Sequence, residues 1–204
     1  GIQPDLSRFV RHGRCPSPVS ARGSDGYEAY VRTLRDEFPG FKLVDKRTLI
    51  SQRLIDRFLR VLSFGTNASY LTSVVTTFGD SVLVPANWSQ WTEEDRLIIL
   101  RHEAVHMRQY RRLTWPGMAL VYLALPVPFF FAAGRAWLEL EAYKETLTAT
   151  WEIHGRLAAA DPSLHERIVR RFTGSDYAWM WVFGGMIQRA LRRHVLTLEE
   201  TPIK

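Results

Sequence analysis

A chain of 204 residues that is 46% hydrophobic and 12% aromatic can bury a domain-sized core, which excludes a disordered or low-complexity segment. Its net charge of +6 is carried mostly by arginine, and no RNP, helix-turn-helix or zinc-finger pattern accompanies it, so nucleic acid is not an expected partner. The lone Cys15 excludes an internal disulfide framework.

Residues 1–26 carry Pro4, Pro16, Pro18 and four glycines among basic residues, a composition that predicts an extended arm or linker with no visible signal peptide. Apolar positions at helical spacing predict a helix over 27–38, closed by Pro39-Gly40, and Phe41–Val44 is a short strand candidate. Leu49/Ile50, Leu54, Phe58 and Leu62 share one face of a second amphipathic helix over 47–62. Residues 68–78 turn to β-branched and aromatic types, Gly79-Asp80 follows, and Ser81–Val84 ends at Pro85, which reads as a β-hairpin. Thr92, with Asp95 three residues on, caps a helix over about 93–112 whose buried side is Leu97, Leu100, Ala104, Val105 and Met107.

Residues 117–134 hold no charge and sit at the lower limit for a membrane span. A buried helical hairpin interrupted by Pro126 and Pro128, or an apolar loop in peripheral contact with a membrane, are the other readings. A long helix is expected over 135–160, ended by Asp161-Pro162, with two more over 163–172 and 176–195. The fold class is therefore α+β and mostly α, with a single domain over 27–204 and a core at about 68–160.

Within the 93–112 helix lies His102-Glu103-Ala104-Val105-His106, an H-E-x-x-H motif. Positions i and i+4 stack on one helix face, so His102 and His106 can occupy two corners of a metal's coordination sphere. Glu103 lies about 100° round the helix, placed to act on water without filling a ligand position. An ordinary helix matches these letters by accident in roughly one such chain in a hundred, so a third ligand is needed to complete the case. Glu139 and Glu141 on the next long helix are the candidates. A ligand there requires residues 117–134 to leave and return to the same place, which favours the hairpin over a single span.

H-E-x-x-H followed by a helix bearing E-x-x-A, here Glu139-Leu140-Glu141-Ala142, resembles the gluzincin metallopeptidases from about residue 70 to about residue 155. Many compact bacterial members are similar in placing a strand hairpin before the first helix. The resemblance implies a zincin-like core, a Zn2+ cofactor held by His102, His106 and Glu139, and Glu103 as general base for peptide-bond hydrolysis. It prefers Glu139 to Glu141, because Ala142 is the small residue three positions after the ligand. It also implies that a protein or peptide substrate pairs with the edge strand of the hairpin. Where several gluzincins place an Asp four residues after the ligand Glu, this chain has Tyr143. Tyr143 is therefore a core tyrosine, an orienter of a histidine, or a catalytic group that stabilises an oxyanion.

Three further features remain. His165 and His194 are either surface residues or transition-state donors, while His154 lies about 22 Å from Glu139 along the same helix. Cys15 is either an unpaired linker thiol or a latency ligand for the open metal position. Finally, Trp179, Trp181 and Phe183 ahead of Arg189, Arg192 and Arg193 allow an alternative function: a membrane-surface or partner-binding helical module with a structural or vestigial metal site.

Overall fold

The computed structural model describes residues 23–45, 75–123, 133–174 and 183–200. The arm up to residue 22 with Cys15, the helix predicted over 47–62, the hairpin's first residues, Pro126 and Pro128, and Trp179 and Trp181 lie outside the described residues. The described chain is α+β and mostly α, in two compact units, Gly1–Ile99 and Leu100–Lys204.

In the first unit, helix α1 (Gly23–Glu37) begins four residues before the predicted start, inside the segment expected to be extended. Tyr27, Val31 and Leu34 recur at helical spacing and are buried with Phe38 and Phe41. The chain turns at Pro39-Gly40 into strand β1 (Lys42–Asp45). Strands β2 (Thr76–Phe78) and β3 (Ser81–Val84) form the expected antiparallel hairpin about Gly79-Asp80. Gly79 has φ 58°, a left-handed conformation that glycine adopts without a Cβ clash.

Strand β1 then joins β3 in parallel, with Leu43 opposite Val82, giving the order β1-β3-β2. Central β3 accordingly reads Val82-Leu83-Val84 as an unbroken apolar run, all buried. The helix that follows, α2 (Glu93–Leu123), opens at the predicted cap. The Asp95 N–H donates to Thr92 Oγ1 at 3.1 Å, and the Thr92 hydroxyl donates to Asp95 Oδ2 at 2.7 Å. Its first turns belong to this unit, where the Arg96 guanidinium lies 4.5 Å from the centre of the Tyr27 ring.

The second unit is helical. Helix α2 is interrupted at Thr114 (φ 58°, ψ 174°), two residues before Pro116. Proline cannot donate to a carbonyl one turn back and disfavours helix in the residue before it, so the regular helix ends close to the predicted residue 112. Helix α3 (Ala133–His154) is shorter than the predicted 135–160 helix. Gly155 (φ 84°) ends it, and a separate short helix α4 (Arg156–Ala159) follows. Asp161 caps helix α5 (Pro162–Thr173), accepting from the Ser163 N–H at 2.9 Å, with Pro162 in the first turn. Helix α6 (Gly184–Glu200) ends later than its predicted 176–195, whose first residues, 176–182, lie outside the described residues.

The core of this unit joins three helices. Tyr143 and Leu147 of α3 meet Leu164, Ile168 and Phe172 of α5 and Ile187, Leu191 and Val195 of α6. The last six recur every four residues, the stripe that lets a helix bury one face. No helix among the described residues is long and apolar enough to cross a membrane.

Candidate metal centre

Two helices carry the site. On α2, one face runs through His102, His106 and Gln109, at spacings of four and three. On α3, one face runs through Glu139, Ala142, Tyr143 and Thr146. The faces meet so that one ligand atom each from His102, His106 and Glu139 lies within 4.8 Å of the others, a group that could hold a metal ion. Glu139 Oε2 is 4.0 Å from His102 Nε2 and 3.8 Å from His106 Nε2. His102 and Glu139 are buried, and His106 is 13% exposed.

Hydrogen bonds on the far side of each ring decide which nitrogen carries the proton. Gln109 donates from Nε2 to Leu138 O at 3.0 Å and to Glu141 Oε2 at 2.9 Å. Both amide hydrogens are thereby committed, so its Oε1 faces His106 Nδ1, 2.9 Å away, and can only accept. His106 therefore carries its hydrogen on Nδ1 and presents a lone pair at Nε2. The same logic holds for His102, whose Nδ1 lies 3.0 Å from Thr146 Oγ1. The Thr146 hydroxyl donates to Ala142 O at 3.2 Å, which leaves its oxygen to accept from His102. Burial, His106 and Arg171 push the His102 pKa well below 6.5, against a backbone hydrogen bond to Ala142, so the ring is neutral.

Three acceptors thus converge on one point: two imidazole lone pairs and a carboxylate oxygen. None of them has a hydrogen to share with the others, and 3.8–4.0 Å is too long for a hydrogen bond in any case. A cation between them turns that mutual repulsion into attraction, so the chemistry of the donor set fits a metal.

The remaining candidates fall out as follows. Glu103 is buried beside His102 and stands outside the donor group. Tyr143 is buried, with its ring edge-on to His102 (centroids 4.9 Å apart) and tilted against Phe172 at 5.7 Å. It walls the first ligand while belonging to the apolar core. Ala142 is fully buried, as a small residue at the helix crossing should be. Glu141, the other ligand candidate, stands outside the donor group and accepts from Gln109 Nε2.

Neither later histidine fits the surface reading. His165 is 3% exposed and donates from Nε2 to Ala159 O at 2.8 Å, tying α5 to the end of α4. His194 is half-buried, with Nε2 2.9 Å from Thr148 Oγ1. Arg101, next to the first ligand, pairs across the helices with Glu145 at 2.7 Å and with Glu152. Burial opposes that charge, but the two carboxylates outweigh it and raise the Arg101 pKa.

Sequence reasoning missed Gln109, Thr146 and Glu141 as supports. The signal was present: Gln109 is three residues past His106 and Thr146 seven past Glu139, both on the ligand faces. The oxygens facing the two Nδ1 atoms are those of Thr146 and Gln109. No family model matches the chain, and no match is found among curated proteins or solved structures.

Proposed function

We propose that this chain is a zinc-dependent metallopeptidase of the gluzincin type, with a zincin-like core. The observation that carries the reading is the convergence of His102 Nε2, His106 Nε2 and Glu139 Oε2 with both imidazole protons held on Nδ1. A tetrahedral zinc with bonds of about 2.0–2.1 Å wants its ligand atoms about 3.3 Å apart. The distances of 3.8 and 4.0 Å lie within a small side-chain adjustment of that. Three protein ligands also leave a coordination position for catalysis, whereas structural zinc sites close all four.

When bound, the metal supplies Lewis acidity toward a carbonyl oxygen and lowers the pKa of water. The chain's own residues do the rest. His102, His106 and Glu139 would hold the ion, the two rings oriented by Thr146 and Gln109. Glu103, a carboxylate next to the first ligand, takes a proton from the attacking water and delivers it to the leaving amine. Tyr143 keeps the His102 ring from turning. A purely structural site has no use for a base beside the first ligand, which is why Glu103 favours an enzyme.

The test compares metal content and casein hydrolysis on the same samples. Wild type carries about one zinc per chain, Glu139→Ala loses it, and Glu103→Gln keeps the metal but loses activity. A wild-type protein, purified without chelators, that takes up no metal overturns the reading.

A second reading has one observation in its favour. Phe183, just ahead of α6, and Met186 and Leu196 on it are about half exposed, at 49%, 50% and 56%, with Arg189, Arg192 and Arg193 of the helix also exposed. Such a surface suits an anionic lipid headgroup layer. Co-sedimentation with phosphatidylserine vesicles, lost in a Phe183→Ser/Met186→Ser variant and absent with phosphatidylcholine, would establish it.

A further inference from the structure

The contacts between α2 and α3 descend one helix as they climb the other. Arg101 meets Glu145 and Glu152, His102 meets Thr146, His106 meets Glu139, and Gln109 meets Leu138. The two helices are therefore antiparallel, and both leave the donor group toward the same end. There α2 is described as far as Leu123 and α3 from Ala133, so the uncharged residues 117–134 begin on one helix and finish on the other. A single membrane crossing would put those two ends on opposite faces of a bilayer, and the return rules it out. At this end Trp137 of α3 is 54% exposed, and Arg111 and Arg112 of α2 are exposed as well.

Charge says what covers this end. Residues 104–138 hold Arg108, Arg111, Arg112 and Arg135 and no aspartate or glutamate. Four of the chain's net six positive charges thus lie around one uncharged run. An acidic protein surface would satisfy the arginines and leave the apolar run unmatched. An anionic bilayer answers both, with phosphates for the guanidinium forks and hydrocarbon for the run between them. An indole more than half in water suits the boundary of the two, where its ring is sheltered and its N–H stays wet.

We propose that this end of the α2–α3 pair, with Arg111, Arg112 and Trp137 at its surface, docks the protein on an anionic membrane. Arg112 is six residues from His106 and Arg135 four from Glu139, about 9 and 6 Å along their helices. The donor group accordingly stands within about 10 Å of the lipid headgroups, a height at which it meets polypeptide emerging from the bilayer. The docking needs no bound metal; only the identity of the substrate rests on the metallopeptidase reading.

The experiment mixes the full chain with vesicles of phosphatidylcholine, alone or with an equal part of phosphatidylglycerol, and reads binding by co-flotation. Wild type binds both and prefers the anionic vesicles. Arg111→Gln/Arg112→Gln weakens binding to the anionic vesicles about thirtyfold and leaves the neutral ones unaffected, while Arg111→Lys/Arg112→Lys keeps the preference. Trp137→Ser weakens both kinds alike. Phe183→Ser/Met186→Ser, on the other exposed surface, leaves binding in place. Wild type that stays off both vesicles overturns the inference, as does binding that the arginine and tryptophan variants do not change. Binding abolished by Phe183→Ser/Met186→Ser overturns it in favour of α6, and self-association without vesicle binding gives this end to a second copy instead. Zinc uptake is measured on the same samples: protein that floats but takes up no metal overturns the metallopeptidase reading and leaves the docking standing.

Discussion

Gln109 turns its carbonyl oxygen toward His106 because its amide hydrogens are already spent on Leu138 O and Glu141. A side chain three residues from the ligand thereby fixes the ligand's tautomer. The orienting carboxylate, Glu141, acts on His106 only through this amide. Metal sites more often let a carboxylate touch the imidazole directly.

Gln109→Met removes the acceptor and strands the His106 Nδ1–H. Metal affinity, measured by competition with a chelator, drops about 10–100-fold. Gln109→Glu does little better, since it sets two carboxylates against each other at 109 and 141. The exchange Gln109→Glu/Glu141→Gln restores a donor at 141 facing an acceptor at 109. Affinity in the double variant exceeds that of Gln109→Glu alone; equal affinities would refute the relay.

Thr146 supports the other ligand. Thr146→Val keeps the shape but takes away the oxygen that accepts from His102, leaving a buried N–H unsatisfied at a cost of about 1–3 kcal/mol. Thr146→Ser retains that oxygen. Chelator competition should rank wild type and Thr146→Ser together, with Thr146→Val well below both.

Acid should unfold the metal-free protein earlier than its carboxylates alone would require. Burial, with His106 and Arg171 nearby, depresses the pKa of His102, and burial, with Lys144 nearby, depresses that of His194. A histidine whose folded pKa lies below the unfolded value near 6.5 binds protons more readily when unfolded. Its stabilising contribution is complete above pH 6.5 and is lost as pH falls toward and through the folded pKa. Denaturant unfolding of metal-free protein should therefore give a stability that declines between about pH 7 and 5. His194→Gln, far from the ligands in sequence and bonded to Thr148, should flatten part of that slope without altering metal affinity.

Arg101 ties α2 to α3 through Glu145 and Glu152. Its side chain is 17% exposed, against 27% for Glu145 and 46% for Glu152. Arg101→Met should cost about 1–2 kcal/mol, most of it at Glu145, because water screens Glu152. Glu152→Gln should cost less than Glu145→Gln in thermal unfolding. The reverse order would show that the exposed arm carries the brace.

Much of this was legible because helical spacing is a rigid ruler. His102 and His106 had to share a face, and Glu139 with Ala142 marked the matching face of the partner helix. The parallel pairing of β1 with β3 was not legible, since it joins residues far apart in the chain and leaves no local trace. Gly155 was passed over as one glycine within a helical pattern, although its φ of 84° ends α3. His165 is buried because it reaches the Ala159 carbonyl, left free where α4 ends ahead of Asp161-Pro162, a pairing that helical spacing does not reveal.

Ligands and the groups that aim them occupy two short stretches, His102–Gln109 and Glu139–Thr146, each about two helical turns. The donors and the side chains that aim them are thus written twice over in a seven-step register. Whatever joins the two stretches can be lengthened, shortened or exchanged, and the donors keep their phase. A single residue inserted inside either stretch swings everything beyond it by about 100° and takes the ligands apart. Insertion scanning should find this region tolerant of gaps between the rods and intolerant of any within them.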